Sequence, residues 1–168
     1  MHPSPPVIQS LERSVNNKPD YLTRDGLEKL RVELDELVNV RRAEVAARIH
    51  DAKEHGDLAE NAEYEDAKNE QAFVEGRIQT VEALIRNAVL IDENHTSDHV
   101  QIGSTVVVES PDGRESFHIV GSAEADPGAG RISNESPVGR ALLGHRKGEK
   151  VVVHVPSGDF TYKIVSIA

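Results

Sequence analysis

Leucines recur at Leu27, Leu30, Leu34 and Leu37, three and four residues apart, among charged and polar neighbours. That spacing lays one apolar stripe along a helix, the seam of helices that pair lengthwise. Thr23 stands where an N-cap belongs, and Asp25 suits the positive end of the helix dipole. The seam loosens after Leu37, with Arg41 at the next seam position, and resumes at Val45, Ile49 and Ala52. A second seam runs through Val74, Ile78, Val81, Ile85 and Ala88. Between the two lies His55-Gly56-Asp57, which predicts a break, with Gly56 just past the first helix and Asp57 as N-cap of the second. Helices joined by so short a turn run antiparallel, and arms of ~30 residues reach roughly 45 Å.

The period changes beyond Asp92. Glu93–Gln101 is polar and reads as a linker. β-rich runs follow at Ser104–Glu109, Ser116–Val120, Lys150–Val155 and Phe160–Ile167, with Pro111-Asp112-Gly113 and Pro156-Ser157-Gly158-Asp159 as hairpin turns. Pro137 opens a short helix through Leu143, ended by Gly144. The pattern predicts an α+β, two-domain chain: a long antiparallel α-helical coiled-coil hairpin over 21–92, a linker over 93–101, and a small antiparallel β-sheet with one helix over 102–168. Residues 1–20, with Pro3, Pro5, Pro6 and Pro19 among polar residues, read as a flexible extension.

Composition narrows the function. The 168 residues contain no cysteine, which excludes disulfides, Fe–S clusters and thiolate zinc sites and fits a cytoplasmic protein. No apolar run is long enough to span a bilayer. A net charge of −10 argues against tight autonomous binding to duplex nucleic acid. The charge is also uneven. Residues 51–70 carry eight acids against Lys53 and Lys68, whereas residues 41–50 carry Arg41, Arg42 and Arg48 against Glu44 alone. The acidity therefore collects around the break between the helices.

The break reads His55-Gly56-Asp57-Leu58-Ala59-Glu60-Asn61-Ala62-Glu63-Tyr64. This string resembles the tip of the GreA/GreB family of bacterial transcript-cleavage factors, and its ENAEY portion is closer to the GreA branch. Ser136-Pro137-Val138-Gly139-Arg140-Ala141-Leu142-Leu143-Gly144 resembles that family's second signature, and the likeness runs from about Tyr21 to the end. The resemblance implies a coiled coil followed by an FKBP-like domain. It implies an accessory factor, not an enzyme by itself, with bacterial RNA polymerase as partner. The FKBP-like domain would dock at the rim of the secondary channel, and the coiled coil would pass down it to the 3′ end of backtracked nascent RNA. Asp57 and Glu60 would then complete the shell of a second Mg²⁺ shared with the polymerase and orient the attacking water.

On spacing alone Asp57 and Glu60 form a capping box, with no chemistry required. Only the flanking string and the second signature make them candidate ligands. Glu63 is a candidate assistant or one more solvated acid; Gly56, Asn61 and Tyr64 are expected to shape the tip. Arg41, Arg42 and Arg48 lie where RNA would pass, or else pair with neighbouring acids. Lys53 and Lys68 stand where the family commonly has arginine, which keeps the charge and loses the bidentate fork. The eight histidines, including His95 and His99 in the linker, form no zinc pattern, and Phe117, Phe160 and Tyr162 are expected in the core. The competing reading is a regulator that occupies the channel without promoting cleavage. The irregular seam disfavours a long intermolecular coil, so a monomer is expected.

Overall fold

A computed structural model describes residues 18–56, 61–94 and 96–168. The chain is an α+β protein with a helical N-terminal part and a curled C-terminal sheet. The expected extension over residues 1–17 and His95 lie outside the described residues.

Strand β1 (Asp20–Leu22) leads into α1 (Arg24–Glu36), whose N-cap is Thr23 as its sequence predicts, its side chain accepting from the Gly26 amide. A π-helical turn, Leu37–Arg41, then connects to α2 (Arg42–Glu54). This turn explains the loosened seam. From Leu37 to Arg41 to Val45 the steps are four and four, where a continuous seam needs four and three. One surplus residue must be absorbed, and a π turn absorbs one residue. The Arg42 N–H accordingly reaches the Leu37 carbonyl, five residues back. Beyond it Val45, Ile49 and Ala52 are buried again.

Helix α3 (Ala62–Arg86) runs back along the first arm. Glu33 pairs with Arg77 while Arg48, further along, pairs with Glu70, so the two arms point in opposite directions. Val45, Ile49, Ala67, Val74 and Ile78 form the core between them, with Leu34, Leu37, Val38 and Tyr64 packed at its margin. Deleting exposed Val40 should therefore remove the surplus residue and leave the seam intact. We expect wild-type helix content by circular dichroism and a nearly unchanged melting temperature. Deleting Ala47 instead turns Ile49 and Ala52 out of the core by about 100°, and the melting temperature should fall.

The second seam does not remain helical to its end. α3 stops at Arg86, and Ala88 begins β2 (Ala88–Leu90), which pairs in parallel with β1. The helical reading of 21–92 missed this two-stranded ribbon because three-residue strands carry no measurable period. Its last bond, from the Ile91 amide to the Leu22 carbonyl at 2.8 Å, closes the base of the arms.

The second part is a five-stranded sheet in the order β5-β4-β3-β7-β6. Its members are β3 (Thr105–Ser110), β4 (Gly113–Val120), β5 (Arg131–Ser133), β6 (Lys150–Val155) and β7 (Gly158–Ile167). β3, β4, β6 and β7 are antiparallel, as their hairpin turns predict, but β5 lies parallel to β4. The sheet is thus mixed, not purely antiparallel. Helix α4 (Pro137–Leu142) contributes Leu142 to a core with Val106, Val108, Ile119, Val151 and Ile164. The second sequence signature has a structural content here. Ser136 caps α4, and a Cβ on Gly139 would stand 2.1 Å from the Ser133 carbonyl oxygen, so no larger residue fits. Phe117 and Tyr162 meet edge to face at 6.0 Å against this core. Phe160, expected beside them, is 44% exposed at the strand end.

The linker reading fails at its distal end. Val100 is buried in the sheet core, its amide donating to the His145 carbonyl and its carbonyl accepting from Gly144, both at 2.8 Å. Around this tie, Asp98 accepts from His99 and pairs with Arg146, while Glu149 accepts from the Arg146 amide and pairs with His145. The hydrogen bond from His99, then the Arg146 charge, holds the Asp98 carboxyl below its ordinary pKa. The Arg146 amide, then His145, does the same for Glu149. A depressed carboxylate pKa stabilises the folded form above the unfolded value, and that contribution disappears as pH falls through the folded value. Amide-exchange protection at Val100 and Gly144 should therefore drop as pH falls below the ordinary carboxylate range. Protection unchanged on such acidification would refute the tie.

Candidate functional site at the end of the helical arms

The arms end in the most acidic stretch of the chain. α2 closes at His55, whose Nδ1 lies 2.6 Å from the Asp51 carbonyl oxygen, and Gly56 follows at φ +128, where a side chain would be strained. The hydrogen bond to that carbonyl, with help from Glu63, Asp51 and Glu54, raises the His55 pKa. The candidate ligands Asp57 and Glu60 lie outside the described residues.

Their frame is described. The N-cap of α3 is Asn61, not Asp57: its side-chain oxygen accepts from the Tyr64 amide at 3.2 Å. The same side chain donates through Nδ2 to the Ala52 carbonyl of α2 at 2.7 Å. Asn61 therefore satisfies an orphan amide of α3 and adds a second donor to the Ala52 carbonyl, which already accepts from the His55 amide, so it ties the start of α3 to the last turn of α2. Ala52 and Ala67 are buried just behind, and their small side chains let the helices approach closely. Tyr64 packs half-buried against the arm core. Glu63 is exposed in the first turn of α3, where the helix dipole favours it. The sequence missed the cap because Asp57 and Asn61 are both good capping residues, and Gly56 drew the helix start forward.

The arginines behind the tip are engaged between the arms. Arg41 pairs with Glu44 and Glu70, Arg48 also pairs with Glu70, and Arg42 places a fork on Glu75 at 2.7 and 2.9 Å. The Arg42 hydrogen bond lowers the Glu75 pKa, and the same bond raises that of Arg42. In this structure the three cations staple the helices. Lys53 is exposed in the last turn of α2, and Lys68 donates to Gln71 at 3.2 Å.

Asp57 and Glu60 supply hard carboxylate oxygens, the donor type Mg²⁺ prefers. Among the described residues no group of three or more His, Asp or Glu side chains is placed to hold a metal ion. Among the described residues no helix is long and apolar enough to cross a membrane.

Paired helical arms joined to a small curled sheet define the class: an α+β protein with a helical N-terminal part and a C-terminal sheet. Residues 20–90 match the family described as transcription elongation factor, N-terminal, and residues 95–168 match transcription elongation factor, GreA/GreB, C-term. Transcription elongation factor GreA of Roseiflexus sp. (strain RS-1) is 52% identical over 156 residues, covering 91% of this chain and 99% of that one. GreA of Thermoanaerobacter pseudethanolicus (strain ATCC 33223 / 39E) is 53% identical over 154 residues, covering 90% and 98%. Among solved structures, the GreA factor homolog 1 (Gfh1) protein of Thermus thermophilus is 31% identical, covering 90% of this chain and 99% of its own, at a TM-score of 0.43. The chain belongs to the GreA/GreB family of transcription elongation factors.

Proposed function

We propose that the protein binds bacterial RNA polymerase and stimulates cleavage of the 3′ end of backtracked nascent RNA, rescuing arrested complexes. What supports this is membership of the GreA/GreB family, with the Asn61 bridge between the last turn of α2 and the start of α3 beside it. In this reading residues 21–92 act as a coiled-coil lever. Residues 102–168, an FKBP-like unit reached through 93–101, dock at the rim of the secondary channel. The factor acts as a cytoplasmic monomer and borrows the polymerase's catalytic centre.

Asp57 and Glu60 would hold a second Mg²⁺ between factor and polymerase, where such an ion stabilises charge on the attacking and leaving oxygens. Their own work is to present carboxylate oxygens at a fixed spacing and to orient the attacking water. Glu63 adds negative charge beside them, and Tyr64 keeps the turn in shape. Two carboxylates hold the ion weakly in solution, so activity belongs to the complex. Arg41, Arg42 and Arg48 are available to a passing transcript once their paired acids are screened, as are Lys53 and Lys68.

The test is cleavage in stalled, backtracked elongation complexes, with and without factor at saturating concentration. Shortened RNA that resumes extension supports the reading. Binding without cleavage would instead favour the channel-occupying regulator.

A further inference from the structure

One carboxylate of the sheet unit grips the root of the first arm. Glu124 sits in a short 3₁₀ turn, Ser122–Glu124, directly after Gly121, and its side chain is 9% exposed. One oxygen accepts from the Thr23 amide at 2.6 Å, and the other from the Thr23 hydroxyl, also at 2.6 Å. Arg131 donates to the second oxygen at 3.0 Å and anchors it to β5. Thr23 is the N-cap of α1, so the sheet unit grips the first arm at its root. The positive end of the helix dipole favours a carboxylate there.

The sequence makes room for this grip. A Cβ on Gly26 would lie 2.3 Å from the Glu124 carboxyl, inside any real contact distance. Beside the clasp, between Leu30 and Arg77 of the arms and Ala123 and Arg131 of the sheet unit, a cleft of about 260 Å³ is open. The arms are therefore not wedged in place by packing on that side.

We propose that Glu124 is a positioning residue: its clasp on Thr23 fixes the direction of the arms relative to the sheet unit, so that docking of one aims the other. This rests on the cleavage-stimulating function proposed above. A lever magnifies error at its end. A turn of a few degrees at Thr23 moves a tip roughly 45 Å away by several ångströms, and reactive groups tolerate about 1 Å.

The chain has no cysteine, so two introduced ones label it uniquely. Spin labels on Glu54→Cys, at the arm end, and Lys163→Cys, on β7, report the angle between the units as a distance distribution. In the full chain we expect one narrow distribution, broadened or displaced by Glu124→Ala and by the isosteric Glu124→Gln. In backtracked complexes both variants should lose about tenfold or more of the cleavage rate at saturation, while the half-saturating concentration moves far less. Thermal melting identifies a variant that does not fold, and the milder Glu124→Gln then decides. An unchanged distribution overturns the clasp. A changed distribution with full cleavage overturns its positioning role. An unsubstituted protein that stimulates no cleavage overturns the proposed function instead, and the distances still test the clasp.

Discussion

Replacing Asp57 or Glu60 with alanine should lower factor-stimulated cleavage in backtracked complexes by roughly a hundredfold or more, with binding to the polymerase retained. The competing role for this pair is helix capping; the cap of α3 itself is Asn61. Amide substitutions separate the two roles. Asn caps a helix as well as Asp does, so Asp57→Asn preserves a cap and removes an anionic oxygen ligand; Glu60→Gln keeps size and polarity likewise. If the carboxylates serve the metal, both amide variants should be nearly as inactive as alanine. Full activity in Asp57→Asn and Glu60→Gln would reduce the pair to scaffolding. Asn61→Ala should behave differently. It releases the bond between Ala52 and the start of α3, so cleavage should fall together with amide-exchange protection at Tyr64.

How far this was legible in advance depended on period and length. Both long arms followed from leucine and valine spacing, since a stripe repeated over many turns fits little but a helix buried along one face. The π turn was visible only as a fault after Leu37; spacing reports a surplus residue without saying how the backbone absorbs it. β1, β2 and β5 are three residues each and were missed. Such strands exist because a neighbour completes them, and that neighbour is distant in sequence. The tip acids were found by resemblance, because paired carboxylates near a helix start look the same as a cap. Glu124 gave no signal at all. Its partner Thr23 is 101 residues away, and a glutamate in Ser-Ala-Glu-Ala reads as surface.

Gly121→Ala should be the most damaging single methyl added at the joint. Gly121 has φ −69 and ψ 159, a conformation open to any residue, so the penalty is not backbone strain. It is contact: the new Cβ would lie 1.9 Å from the Tyr21 carbonyl oxygen and 2.8 Å from its carbon. A side chain can rotate away from such an intrusion, but a strand carbonyl cannot. β1 must move, and with it fully buried Leu22 and the Thr23 end of the Glu124 clasp. Overpacking of this kind costs about 1–3 kcal/mol, occasionally more. Tyr21, the residue the new methyl meets, belongs to neither the arm core nor the sheet core, so their own packing should survive. The loss should therefore appear first at the base of the arms, as faster exchange of the Ile91 amide bonded to Leu22, and as a lower urea midpoint. Gly76→Ala is the matched control. That glycine lies inside α3 with open space where its Cβ would go, and alanine there should add roughly 0.5–1 kcal/mol of stability. Equal stability of the two variants would show that the 1.9 Å approach relaxes at no cost, and would remove Gly121 as the contact that fixes β1 against the sheet.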